Sequence, residues 1–141
     1  MKQKFRFLDH TSDAKFQAFG GTMEEAFANA ALATASLMWD VKTVARTLRH
    51  PVSVRGKDLE QLLLHFLEEV IYLVEAKTFL FASADEVKIK KKADGFRLEA
   101  VFSGDINSDK YNIYGEAKAI TYNEMKIEEN NRITLQVVVD I

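Results

Sequence analysis

The chain has 141 residues, of which 48% are hydrophobic and 28% charged, with a formal net charge of −2. That length suits one domain able to bury a core, the apolar content excludes an intrinsically disordered chain, and the balanced charge argues against a general binder of nucleic acid or membrane surfaces. Cysteine is absent, which removes disulfides, thiolate nucleophiles and sulfur-bound metals and suits a reducing compartment. In chain order, the opening MKQKFRFLDH lacks the apolar core of a signal peptide. Nowhere does the chain reach the ~18 consecutive apolar residues of a membrane span, so a soluble cytoplasmic protein is expected.

Residues 4–9 and 14–19 read as two strands around the polar stretch DHTSD. The first helix opens at Thr22, with Glu25 three residues on to complete a capping box, and Met23, Ala26, Phe27, Ala30, Ala31, Leu37 and Met38 recur mostly at helical spacing. A strand over 47–55 leads to a second helix opening at Asp58, with Gln61 in the equivalent position. Its stripe of Leu59, Leu62, Leu63, Phe66, Leu67, Val70, Ile71 and Val74 reads as a core face. Four further strands follow over 87–92, 96–102, 113–122 and 133–139, with turns at 93–95 and 128–131. Strands and helices do not alternate in the later half. The pattern predicts a single α+β domain over 1–141, with a largely antiparallel sheet and two main helices on one side.

The DHTSD stretch holds two acids. On a strand, Asp9 and Asp13 lie ~13 Å apart at ~3.3 Å per residue, too far to share one ion. Asp9 fits an Asx turn around Thr11-Ser12. The resumed alternation then sends Ala14, Phe16 and Ala18 to the core and Asp13, Lys15 and Gln17 to the other face, so Asp13 is the better site candidate. At the other end of the chain, TLQVVVDI puts Ile133, Leu135, Val137 and Val139 on one face and Asp140 on the other. If the chain ends naturally at Ile141, a carboxylate stands beside Asp140, and the pair plus an acid from a neighbouring strand makes an oxygen site for a hard cation, calcium before magnesium. The alternative is a solvated terminus without a role. In EAKAITYN, Lys118 falls among small and apolar residues, either snorkelling past a sheet edge or aimed at an anion. The run KIKKK has no aromatic for base stacking and reads as a charged edge strand rather than a nucleic-acid site. His50 and His65 read as bystanders, and His10 beside Asp13 is weak support for catalysis or ligation.

Three segments together carry a resemblance. LDHTSDAKFQAFGGTMEEAFANAALA resembles the opening of the archease family. DLEQLLLHFLEEVIYLVEAKTFLF is similar to its central helix and following strand, and EAKAITYNEMKIEE with the final VVVDI is similar to its K-A-[IV]-T-Y-H and D-I patterns. The resemblance covers essentially the whole chain. It implies an accessory protein rather than an enzyme in its own right, one that promotes guanylylation and multiple turnover of the RtcB-type RNA-splicing ligase and meets RNA only through that ligase. By the same resemblance a divalent metal, calcium in the family with magnesium or manganese as alternatives, falls to Asp13, Asp140 and Ile141, and Lys118 takes a ligase-activating role. This chain departs from the family pattern at Ser12, at Lys15 beside the metal ligand, at Asn123 in place of the T-Y-H histidine, and at Tyr111 near another common histidine. Two other readings compete: a stand-alone metal-dependent phosphoester hydrolase with His10 as base, and a metal-independent binding module.

Overall fold

The structure, a computed structural model, describes residues 3–9 and 12–141. His10 and Thr11, invoked above for the hydrolase base and the opening turn, lie outside the described residues. Strand β1 (Phe5–Leu8) pairs with β2 (Ala14–Gly20), and helix α1 (Met23–Ser36) follows. A one-turn 3₁₀ helix at Val41–Thr43 leads to β3 (Leu48–Gly56), α2 (Leu59–Lys77), β4 (Phe79–Lys92), β5 (Gly95–Ile106), β6 (Ala119–Glu129) and β7 (Ile133–Asp140). All pairings are antiparallel, as expected, but the strands divide between two sheets. The first has the order β1-β2-β7-β6 and the second β3-β5-β4.

Both helices start as their sequences predict. Thr22 Oγ1 accepts from the Glu25 amide at 3.1 Å, while Glu25 Oε1 accepts from Gly21 N at 2.5 Å. In α2, Asp58 Oδ1 accepts from Gln61 N at 2.8 Å and Gln61 Oε1 from Lys57 N at 2.7 Å. Two otherwise orphaned amides are satisfied at each start. The stripe on α2 is wider than its spacing suggests, because Leu73 is also buried whereas Val74 and Leu59 are only partly so. The cause is that each helix faces both sheets. α1 packs on β2 and β4, and α2 packs on β3 and β6. One core results, in which the rings of Phe27, Phe66, Phe102 and Phe81 succeed one another at centroid separations of 5.8, 5.5 and 4.8 Å. Trp39 caps it, donating from Nε1 to the Phe81 carbonyl at 2.9 Å.

Two strand expectations are corrected. β4 begins at Phe79 rather than 87, because Phe79, Leu80, Phe81 and Ala82 are buried in succession and so show no two-residue period. The expected strand over 113–122 starts only at Ala119 and runs on to Glu129. Residues 113–118 approach without strand pairing, and the period of two fails there: Ala117 and Ile120 are buried while Lys118 is exposed. Lys118 therefore does not share a face with Ile120, as a strand running through both would require.

Candidate functional site

The first sheet brings residues from both ends of the sequence together. β2 and β7 pair through Ala14↔Val139, Lys15↔Val138 and Phe16↔Val137, and β7 pairs with β6 through Ala119↔Asp140 and Ile120↔Val139. Asp13 immediately precedes Ala14, the first paired residue of β2, and Asp140 immediately follows Val139, the residue paired with Ala14. On the far side, the Lys118 amide donates to the Asp140 carbonyl at 2.7 Å. Asp13, Asp140, Ile141 and Lys118 thus gather at one end of the sheet. Phe16, Ala18, Leu135, Val137 and Val139 are fully buried, so Asp13 and Asp140 belong to the outward face. Asp13 is half-buried, and Asp140 and Lys118 are exposed. Among the described residues no group of three or more His, Cys, Asp or Glu side chains is arranged to hold a metal. The expected donor set needs only two such side chains, with the main chain of Ile141 as its third member.

Next to these residues sits a feature the sequence did not disclose. Between Thr121↔Val138 and Lys126↔Gln136 the β6 register shifts, leaving Tyr122, Asn123, Glu124 and Met125 bulged, with Glu124 at φ 52°. The bulge is tied to the sheet by Gln136 Nε2, which donates to the Glu124 carbonyl at 2.9 Å. Gln17 Nε2 donates to Gln136 Oε1 at 3.1 Å, and Arg6 grips Gln17 Oε1 from Nε and Nη2 at 3.0 and 2.7 Å. This transverse chain crosses all four strands of the outer face. The bulge also settles where Lys15 goes: its ammonium meets Glu124 Oε1 at 3.1 Å, with the lysine side chain only 17% exposed. The positive charge next to Asp13 is therefore engaged by a carboxylate.

The carboxylate most strongly perturbed lies elsewhere and is structural. Asp105, 6% exposed, accepts from Thr47 Oγ1 at 2.6 Å, from the Ile106 amide at 2.9 Å and from Tyr111 Oη at 2.5 Å, and Lys110 Nζ stands 3.3 Å away. The hydroxyls of Thr47 and Tyr111, followed by the amide and the ammonium, hold its carboxyl well below the usual carboxylate range. Tyr111 Oη in turn accepts from Ala45 N at 3.0 Å, so the histidine-like position of the family pattern here serves as a clasp between two loops. A depressed folded pKa stabilises above the unfolded value near 4 and is lost as pH falls through the folded one. Asp105→Asn should accordingly lower stability at pH 7 and flatten the decline in urea midpoint expected of the unaltered protein below about pH 4. The two other described histidines are placed structurally. His65 Nδ1 bonds the Arg55 carbonyl at 2.6 Å, and His50 packs on Phe79 with centroids 5.9 Å apart.

Comparison with known proteins agrees with this arrangement of elements. The model of the archease protein family (MTH1598/TM1083) matches residues 5–141. Protein archease of Methanosarcina mazei is 35% identical over 141 residues, covering 99% of this chain and 97% of its own. Its counterpart in Pyrobaculum neutrophilum is 37% identical over 140 residues, covering 97% and 95%. The solution structure of Methanobacterium thermoautotrophicum protein 1598 superposes with a TM-score of 0.83 at 32% identity, covering 98% of this chain and 99% of that one. Among the described residues no helix is long and apolar enough to cross a membrane. Matched in sequence and in fold along nearly its whole length, the chain belongs to the archease family.

Proposed function

We propose that this archease is an accessory activator of an RtcB-type RNA-splicing ligase, without a reaction of its own, working in the cytoplasm through a divalent-cation site. The observation that carries the reading is the β2–β7–β6 register, which gathers Asp13, Asp140, Ile141 and the Lys118 main chain at one exposed sheet end. The donors suit a hard cation: two carboxylates and main-chain oxygen, with calcium the best match to an irregular oxygen set and magnesium or manganese the alternatives. A bound divalent ion would supply positive charge to the phosphates handled by the ligase, where transfer depends on positioning and charge neutralisation. Asp13 and Asp140 bind it, and the Lys118 amide braces the Asp140 main chain. The exposed Lys118 ammonium neutralises a phosphate or orients a ligase carboxylate.

Single-turnover guanylylation of the ligase, with and without this protein, tests the reading. Stimulation should fall with Lys118→Ala and vanish on chelation restricted to the accessory protein. Stimulation that survives both would favour a metal-independent binding module. The bulge adds a sharper expectation. Glu124→Gln frees the Lys15 ammonium two residues from Asp13, about 6.6 Å along the strand, and at that range in water a unit charge is worth about 0.6 kcal/mol. Calcium affinity by titration calorimetry should drop at least about threefold, and Lys15→Gln/Glu124→Gln should restore it.

A further inference from the structure

A cavity away from the site above lies on the second sheet. It encloses about 710 Å³ and is lined by Arg55, Lys57, Lys92 and Arg97 against the single acid Asp94. Four cations to one acid is a sharp segregation in a chain whose formal net charge is −2. The strand registers show how it arises. Arg55 pairs with Arg97, and Arg97 pairs with Lys90, so three cations stand side by side in one row across β3, β5 and β4. Their neighbours Val54, Leu98 and Ile89 turn to the core, which leaves the row on the outer face. Lys92 extends it on the same face of β4, about 6.8 Å from Lys90, whereas Lys88 on that face pairs with Glu99 of β5. Edge protection accounts for lysines on β4, an edge strand. It does not account for Arg97, which sits on the central strand between two other cations. Like charges directly opposite destabilise a sheet, so the row costs stability in the free protein. Arg97 also has hydrogen-bonding capacity to spare. Its Nε is buried without a partner among the described residues, and its Nη2 is 3.8 Å from Glu99, long for an ion pair.

We infer that the outer face of the β3-β5-β4 sheet binds the phosphodiester backbone of single-stranded RNA. The row runs transverse to the strands, so a ligand reading it crosses the sheet face. A peptide added as a further strand would instead lie along an edge. Crossing an open antiparallel sheet is how single-stranded RNA is held by other β-sheet modules. Without aromatic side chains in the row to stack bases, recognition is by charge and does not depend on sequence. Direct contact with RNA goes beyond the activator reading, which gave RNA to the ligase alone. Only the choice of RNA over DNA leans on that reading.

The experiment needs neither ligase nor metal, so its failure is separable from failure of the cation site. Fluorescence anisotropy of a mixed-sequence RNA of about 12 nucleotides is measured in chelator between about 50 and 200 mM salt. Four phosphate contacts predict a log–log salt slope near −3, at about −0.7 per phosphate. Arg55→Gln/Arg97→Gln should weaken binding about 25-fold near 0.1 M salt and reduce the slope by about 1.4. The melting temperature of this variant should hold or rise, since a like-charge contact is relieved. An unchanged affinity in the double variant, or no binding at low salt, would overturn the inference. So would tighter binding of polyglutamate than of the RNA at equal charge, which would assign the face to an acidic peptide.

Discussion

Asp140→Ala should abolish the calcium-dependent part of ligase stimulation while leaving the fold intact. The side chain is exposed, and its residue is held in the sheet by main-chain pairing with Ala119 and the Lys118 amide. Alanine therefore deletes a donor without disturbing the strand, and the circular dichroism spectrum and urea midpoint should stay within the small range of surface changes. Loss of a supporting group behind a metal ligand costs about 10–100-fold in affinity or activity, and loss of a ligand should cost at least as much. Calcium binding by calorimetry and single-turnover guanylylation should fall together by that factor. Asp13→Ala should do the same. On the proposed shared ion, the loss in the double variant should fall well short of the product of the two single losses. Full stimulation by Asp140→Ala, with calcium binding unaltered, would remove the residue from the mechanism.

The largest effect on stability is expected at Phe102→Ala. Phe102 is fully buried on β5, paired between His50 and Ala84, and its ring meets Phe81 at 4.8 Å and Phe66 at 5.5 Å, both edge-on. It is the joint between the second sheet and α2, and its neighbours belong to three different elements, so they close poorly around a void. Truncation of a buried phenylalanine costs about 3–5 kcal/mol. For a domain whose total stability is roughly 5–15 kcal/mol, this should lower the melting temperature by about 10–20 °C. Phe102→Leu keeps much of the volume but loses the ring contacts, and should fall between the two.

How much of this was readable in advance depended on whether the signal was local. The helix starts were legible because Thr22/Glu25 and Asp58/Gln61 each form a complete device within four residues. The inward face of β2 was legible because Ala14, Phe16 and Ala18 alternate, and Phe16 and Ala18 are fully buried. β7 was only half legible. Leu135, Val137 and Val139 face the core as alternation requires, but Gln136 and Val138 are buried as well. The β6 bulge folds toward them, and it is built from Tyr122, Asn123, Glu124 and Met125 with no glycine to announce a left-handed residue. The division into two sheets was illegible for a related reason: strand patterns record which face is buried, not which strand lies alongside. The Asp105 clasp joins Thr47 to a residue 58 positions away, beyond the reach of any spacing rule.

The middle position of β7 has a consequence for the chain during synthesis. β2 and β6 are not paired with each other: both pair with β7, and the Lys15–Glu124 ion pair reaches across it. Until residues 133–140 have left the ribosome, two strands made earlier wait with open edges, and long-range pairing of this kind is slow to form. Asp13 is made well before β7, and acquires its neighbour across the sheet only when β7 pairs. A chain stopped before β7 would thus carry Asp13 without Asp140 and leave β2 and β6 without the strand that pairs with both.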